Sequence, residues 1–134
     1  MNRPLNPKVH ALAQRLLAYE AKAGISSRPA AARVSEKLSR TLNALVGVAG
    51  YRSLLSRALT LGNEEVAWLK VVHVNAVGDL EGFNKVKAQL SQAEVARGEV
   101  IFIAQLLGLL ITFIGEALTL GLLQNAWPKA TFDD

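Results

Sequence analysis

The sequence predicts an all-α single domain of about five or six helices around a long apolar C-terminal helix. Three observations predict it. Apolar residues recur at helical spacing through residues 5–23 and 34–61, a capping box opens the segment at Ser91, and that segment continues as "VIFIAQLLGLLITFIGEALTLGLL" from Val100 to Leu123. With 134 residues, 51% of them hydrophobic, the chain is too apolar for disorder. A chain of this length buries roughly two-thirds of its unfolded surface. No repeat, low-complexity tract or linker divides it, so residues 1–134 read as one domain with loose tails at 1–5 and 129–134.

The first helix is predicted from Asn6, a capping residue, and Pro7, which lacks an N–H where none is needed. Leu5, Val9, Leu12, Leu16, Tyr19 and Ala23 fall on one stripe, opposite Lys8, Arg15 and Lys22, and Gly24 offers a left-handed exit. Ser26 or Ser27 caps a second helix with Pro29 in its first turn. Its apolar side is Val34, Leu38, Leu42 and Leu45; Arg33, Lys37 and Arg40 form a basic stripe. Gly47 and Gly50 together cost a helix roughly 2 kcal/mol relative to alanine, so a turn or sharp kink is expected there. A third helix follows, residues 51–61, with Tyr51, Leu54, Leu55, Ala58 and Leu59 inward.

Gly62 ends that helix, and Asn63 is placed to cap a short fourth one, with Glu64 and Glu65 in its first turn. In "KVVHVNAVGDLEGF" the β-branched Val71, Val72 and Val74 and the Gly78-Asp79 turn predict an extended or hairpin excursion near 71–82. A short helix over about 84–90 comes next. Ser91 and Glu94 then form the capping box of the long helix, which is expected to run to Gln124 or Asn125, before Pro128, with a bend near Gly115.

That helix is either a membrane span or a core axis. Its uninterrupted apolar part, Val100 to Gly115, is 16 residues long, short of the roughly 18 that a span requires. Extending it to Leu123 brings in Glu116, which lipid penalises by a few kcal/mol. The preceding one-sided helices need an apolar partner, and Gly98, Gly108, Gly115 and Gly121 allow close approach. The core reading is therefore preferred. Glu116 then either pairs with Arg52 or Arg57 as a buried ion pair or emerges into solvent.

For chemistry the inventory is thin. The chain has no cysteine, which removes disulfides, thiolate zinc sites and cysteine nucleophiles and is compatible with a cytoplasmic location. The N-terminus lacks a secretory pattern. His10 and His73 are not at metal-ligand spacing, and His73 has only Asp79 and Glu81 nearby. No nucleophile elbow, phosphate loop or dinucleotide fingerprint occurs. The expectation is a non-enzymatic chain with no catalytic residue, cofactor or metal.

Charge is divided along the chain: residues 1–60 hold ten basic against two acidic residues, and 61–134 hold five basic against nine acidic. Arg28, Arg33, Lys37 and Arg40 are the candidate basic surface. The stretch "LNALVGVAGYRSLLSRAL" has the outline of a helix-turn-helix, but Ser53 and Ser56 fall where the second helix must be apolar. The first reading is thus a small interaction or regulatory protein that self-associates and binds a protein partner. DNA binding through the basic helices of 28–59 comes second, and membrane association through 100–123 third.

Overall fold

The computed structural model describes residues 7–22 and 29–130. Helix α1 (Pro7–Lys22) and helix α2 (Ala30–Asn63) are followed by a 3-10 turn (Ala67–Val71), strands β1 (His73–Val74) and β2 (Leu80–Glu81), and helices α3 (Phe83–Lys87), α4 (Gln92–Ile114) and α5 (Glu116–Ala126). The fold is all-α. Its only sheet among the described residues is the small antiparallel pair that sets His73 opposite Glu81. The anticipated caps at Asn6, Ser26 and Ser27 and the exit at Gly24 lie outside the described residues.

α2 takes in both of the anticipated helices on either side of Gly47. Gly47 adopts φ 78° and ψ 164° inside it, a conformation essentially confined to glycine, and the chain breaks there rather than looping through Gly50. The short fourth element is a 3-10 turn that begins at Ala67, not an α-helix capped by Asn63, which instead ends α2. The N–H groups of Glu65 and Val66 both take the Gly62 carbonyl, so α2 tightens and stops before the 3-10 turn. α4 begins with the capping box, Ser91 and Glu94 exchanging hydrogen bonds of 3.1 and 2.9 Å. It stops at Ile114, well before the anticipated end at Gln124 or Asn125, because Gly115 (φ 92°, ψ 160°) turns the chain into α5.

Neighbours fix the directions of these helices. The Ala31 N–H donates to Glu99, and Leu45 faces Phe113, so the first part of α2 runs alongside α4 in the same sense. Leu54 lines the same groove as Phe113, whereas Gly62 lies against Ile101 and Phe102, so beyond Gly47 the helix runs back. α5 starts at the Lys8 end of α1 and ends beside Glu20. α1, the second part of α2 and α5 thus oppose α4 and the first part of α2, and both glycine reversals lie at one end of the molecule.

α4 is the core axis. Ile101, Phe102, Ile103, Ala104, Leu106, Leu107 and Leu110 are buried. They pack with Val9, Leu12 and Leu16 of α1, Val34, Leu38, Leu42, Leu55 and Ala58 of α2, and Leu123 and Trp127 at the C-terminal end. α4 is also the one helix among the described residues long and apolar enough to cross a membrane.

Glu99 adds a polar tie within this core. Pro29 precedes α2 and offers it no side-chain cap, so the Glu99 carboxylate, reaching over from α4, accepts the orphan Ala31 N–H at 2.9 Å. Burial pushes the Glu99 carboxyl above its usual range, opposed by that hydrogen bond and by the charge of Lys87.

Candidate functional site

At the end where both glycines reverse the chain, α2 and α4 part and leave an apolar groove of about 700 Å³. Leu45, Val46, Gly50, Ser53 and Leu54 form one wall, and Phe113 and Ile114 the other. The two helices cannot close over each other here because each is turned away at its glycine. Phe113 is 64% exposed and Leu45 56%, and Val48 and Leu118, close to the two turns in sequence, are also exposed. The helical pattern predicts Leu45 as an inward residue; it is exposed because it sits in the last turn before the Gly47 break, where α2 and α4 have already parted.

A second constellation lies near the opposite end of α1. The Glu20 carboxylate is 1% exposed. It accepts from Lys37 Nζ at 2.6 Å, Arg33 Nη2 at 3.3 Å and Trp127 Nε1 at 2.7 Å. Lys37 also stands 5.9 Å from the Tyr19 ring centroid and 5.7 Å from that of Trp127, within cation–π range. Burial acts to raise the Glu20 pKa, but the bonds from Lys37 and Trp127 and the charges of Lys37 and Arg33 outweigh it and hold the carboxyl below its ordinary value. This cluster joins α1, α2 and the residue after α5. The three donors to Glu20 tie these elements together.

The candidate basic surface is consequently divided. Arg33 and Lys37 turn inward to Glu20, and Arg40 pairs with Glu36 one turn earlier at 3.5 Å. Arg28 lies outside the described residues. The sequence signal for this arrangement is Glu20 itself, four residues after the buried Leu16 and on the apolar side of α1. A lone acid on an apolar stripe calls for cations, and the facing helix supplies two.

Glu116 forms no buried pair with Arg52 or Arg57. It is 49% exposed and bonds Lys8 Nζ at 2.8 Å, because the Gly115 turn carries it out of the core and toward the start of α1. Arg52 donates through Nε to the Asn75 carbonyl at 3.1 Å, fastening the strand pair to α2. Arg57 is exposed on α2. His73 and Glu81 meet across the strand pair at 3.1 Å, and Asn75 Nδ2 also donates to Glu81. Asn75 and His73 hold the exposed Glu81 carboxyl below its usual range. No group of three or more potential metal ligands occurs among the described residues.

No family model, no curated protein and no solved structure matches this chain.

Proposed function

We propose that the protein is a non-enzymatic helical interaction module that docks an apolar helical segment of a partner protein in the groove between α2 and α4. One observation carries the reading: Leu45 and Phe113, two large apolar side chains, remain more than half exposed on facing walls of one groove. Such a shape receives the ridge of side chains that an amphipathic helix presents. Ser53 is the only polar side chain in the lining, and with no base beside it the groove suits packing rather than chemistry.

The test is a fluorescence-anisotropy titration of a labelled leucine-rich amphipathic model peptide against the wild-type protein and Phe113→Asp. Phe113 is exposed, so the variant should keep its helical circular dichroism. Saturable binding that weakens about tenfold or more in the variant is expected. Absence of saturable binding, or binding indifferent to Phe113, overturns the proposal. Light scattering that shows Phe113-dependent dimers would give the groove to a second copy of this chain instead, and would equally overturn the choice of partner.

A further inference from the structure

The groove has a charge pattern that selects among helices. Its lining residues, from Leu45 to Leu54 on α2 and Phe113 and Ile114 on α4, include no aspartate or glutamate, and Glu116, just beyond Ile114 in sequence, is held by Lys8. On α2, Gly50, Ser53, Leu54 and Arg57 follow one another at spacings of three, one and three, which sets all four on one face. Arg57 therefore stands about one turn beyond Leu54, in line with the groove wall.

The other cations of α2 are engaged. Arg33 and Lys37 hold Glu20, Arg40 holds Glu36 and Arg52 holds the Asn75 carbonyl. Arg57 is exposed and makes no ion pair or hydrogen bond among the described residues. A guanidinium offers a planar fork of donors that fits a carboxylate with two parallel bonds. With no acid on either wall to neutralise it, its field extends over the groove.

Resting on the groove reading above, we infer that the docked segment is an amphipathic helix that carries a carboxylate beside its apolar face, which Arg57 receives. A lysine-flanked helix is repelled from the same position. The concavity favours a helix over a bilayer surface: lipid meets a convex apolar face, whereas two walls facing each other accept an inserted ridge.

Three model peptides with one leucine-rich face and Glu, Gln or Lys beside it separate the possibilities. Each is titrated by fluorescence anisotropy against the wild type, Arg57→Gln and Arg57→Glu at low and moderate salt. All three proteins should show the same circular dichroism, since Arg57 is exposed. For the wild type, the Glu peptide should bind about fivefold tighter than the Gln peptide, with the advantage shrinking as salt rises. Arg57→Gln should erase that preference, and Arg57→Glu should transfer it to the Lys peptide. Equal binding of the three peptides to the wild type, still dependent on Phe113, overturns the carboxylate inference and leaves the groove reading standing. Failure of every peptide overturns both. Arg57-dependent sedimentation with phosphatidylglycerol vesicles, without peptide binding, would assign the surface to lipid and overturn the inference.

Discussion

Trp127 Nε1 donates to Glu20 Oε2 across 2.7 Å, joining the residue that follows α5 to the last turn of α1. At the other end of the same two helices Lys8 bonds Glu116 at 2.8 Å. Twelve residues separate the two α1 anchors and eleven the two on α5, rises of roughly 18 and 16 Å. The helices run parallel and are clasped at both ends. The two clasps differ in worth. The Lys8–Glu116 pair is solvent-exposed and contributes about 0–1 kcal/mol; the Glu20 cluster is buried.

Glu20→Ala should therefore be costly. It leaves the Trp127 N–H without its acceptor and removes the counter-charge of Lys37 and Arg33. A loss of about 2–4 kcal/mol is expected from urea unfolding. Trp127→Phe keeps an aromatic ring but removes the donor and part of the buried indole, and should cost about 1–3 kcal/mol. A Glu20→Ala loss below about 0.5 kcal/mol would place the cluster among ordinary surface pairs.

Two carboxyls give the stability curve opposite slopes in acid. Glu20 has its folded pKa below 4.5, so its contribution is complete above the unfolded value and disappears as pH falls through the folded one. Glu99 has its folded pKa above 4.5, so the folded state holds the extra proton and stability declines as pH rises through that window. In Glu20→Gln the loss of stability below 4.5 should flatten; in Glu99→Gln the decline above 4.5 should flatten instead. Urea midpoints measured from pH 3 to pH 7, roughly the range in which carboxyls titrate, check both. Identical curves for the two variants would contradict the opposite environments of these groups.

Much of the helical pattern was legible because amphipathic periodicity reports a helix wherever one face is buried. The stripe of α1, the inward residues 51–59 and the capping box at Ser91 are all of this kind. The ends were less legible. Whether the glycines at 47 and 115 bend a helix or reverse it depends on a backbone angle that composition does not encode. The groove follows from both reversals occurring at the same end, a relation between residues 68 positions apart. The Glu20 cluster was half legible: its acid and its cations are visible in sequence, but their meeting needs the α1–α2 packing. Glu116 depended wholly on Gly115, whose turn takes it out of the core.

Those two glycines should resist substitution for backbone reasons alone. A Cβ at Gly47 or Gly115 meets nothing within 4 Å, so steric crowding with neighbours plays no part. Their φ values of 78° and 92°, with ψ near 160°, are nevertheless strained for any L side chain. Gly47→Ala and Gly115→Ala should each cost about 1–3 kcal/mol in chemical denaturation. A neutral result at either position would mean that the chain does not reverse there.

Gly98 and Gly121 supply the contrasting pair, with the same substitution expected to change sign. A Cβ on Gly98 would fall on the Trp68 indole, which is held by its hydrogen bond to the Glu94 carbonyl at 3.1 Å and by an edge contact with Phe83 at 5.6 Å. The ring has to move and both contacts are disturbed, so Gly98→Ala should destabilise by about 1–3 kcal/mol despite the better helix propensity of alanine. Gly121 lies within α5, exposed, with open space where its Cβ would go. There only propensity acts, and Gly121→Ala should stabilise by roughly 0.5–1 kcal/mol. Thermal unfolding of the two variants beside the wild type reads the difference directly. A stabilising Gly98→Ala would show that Trp68 does not pack against α4 at this point.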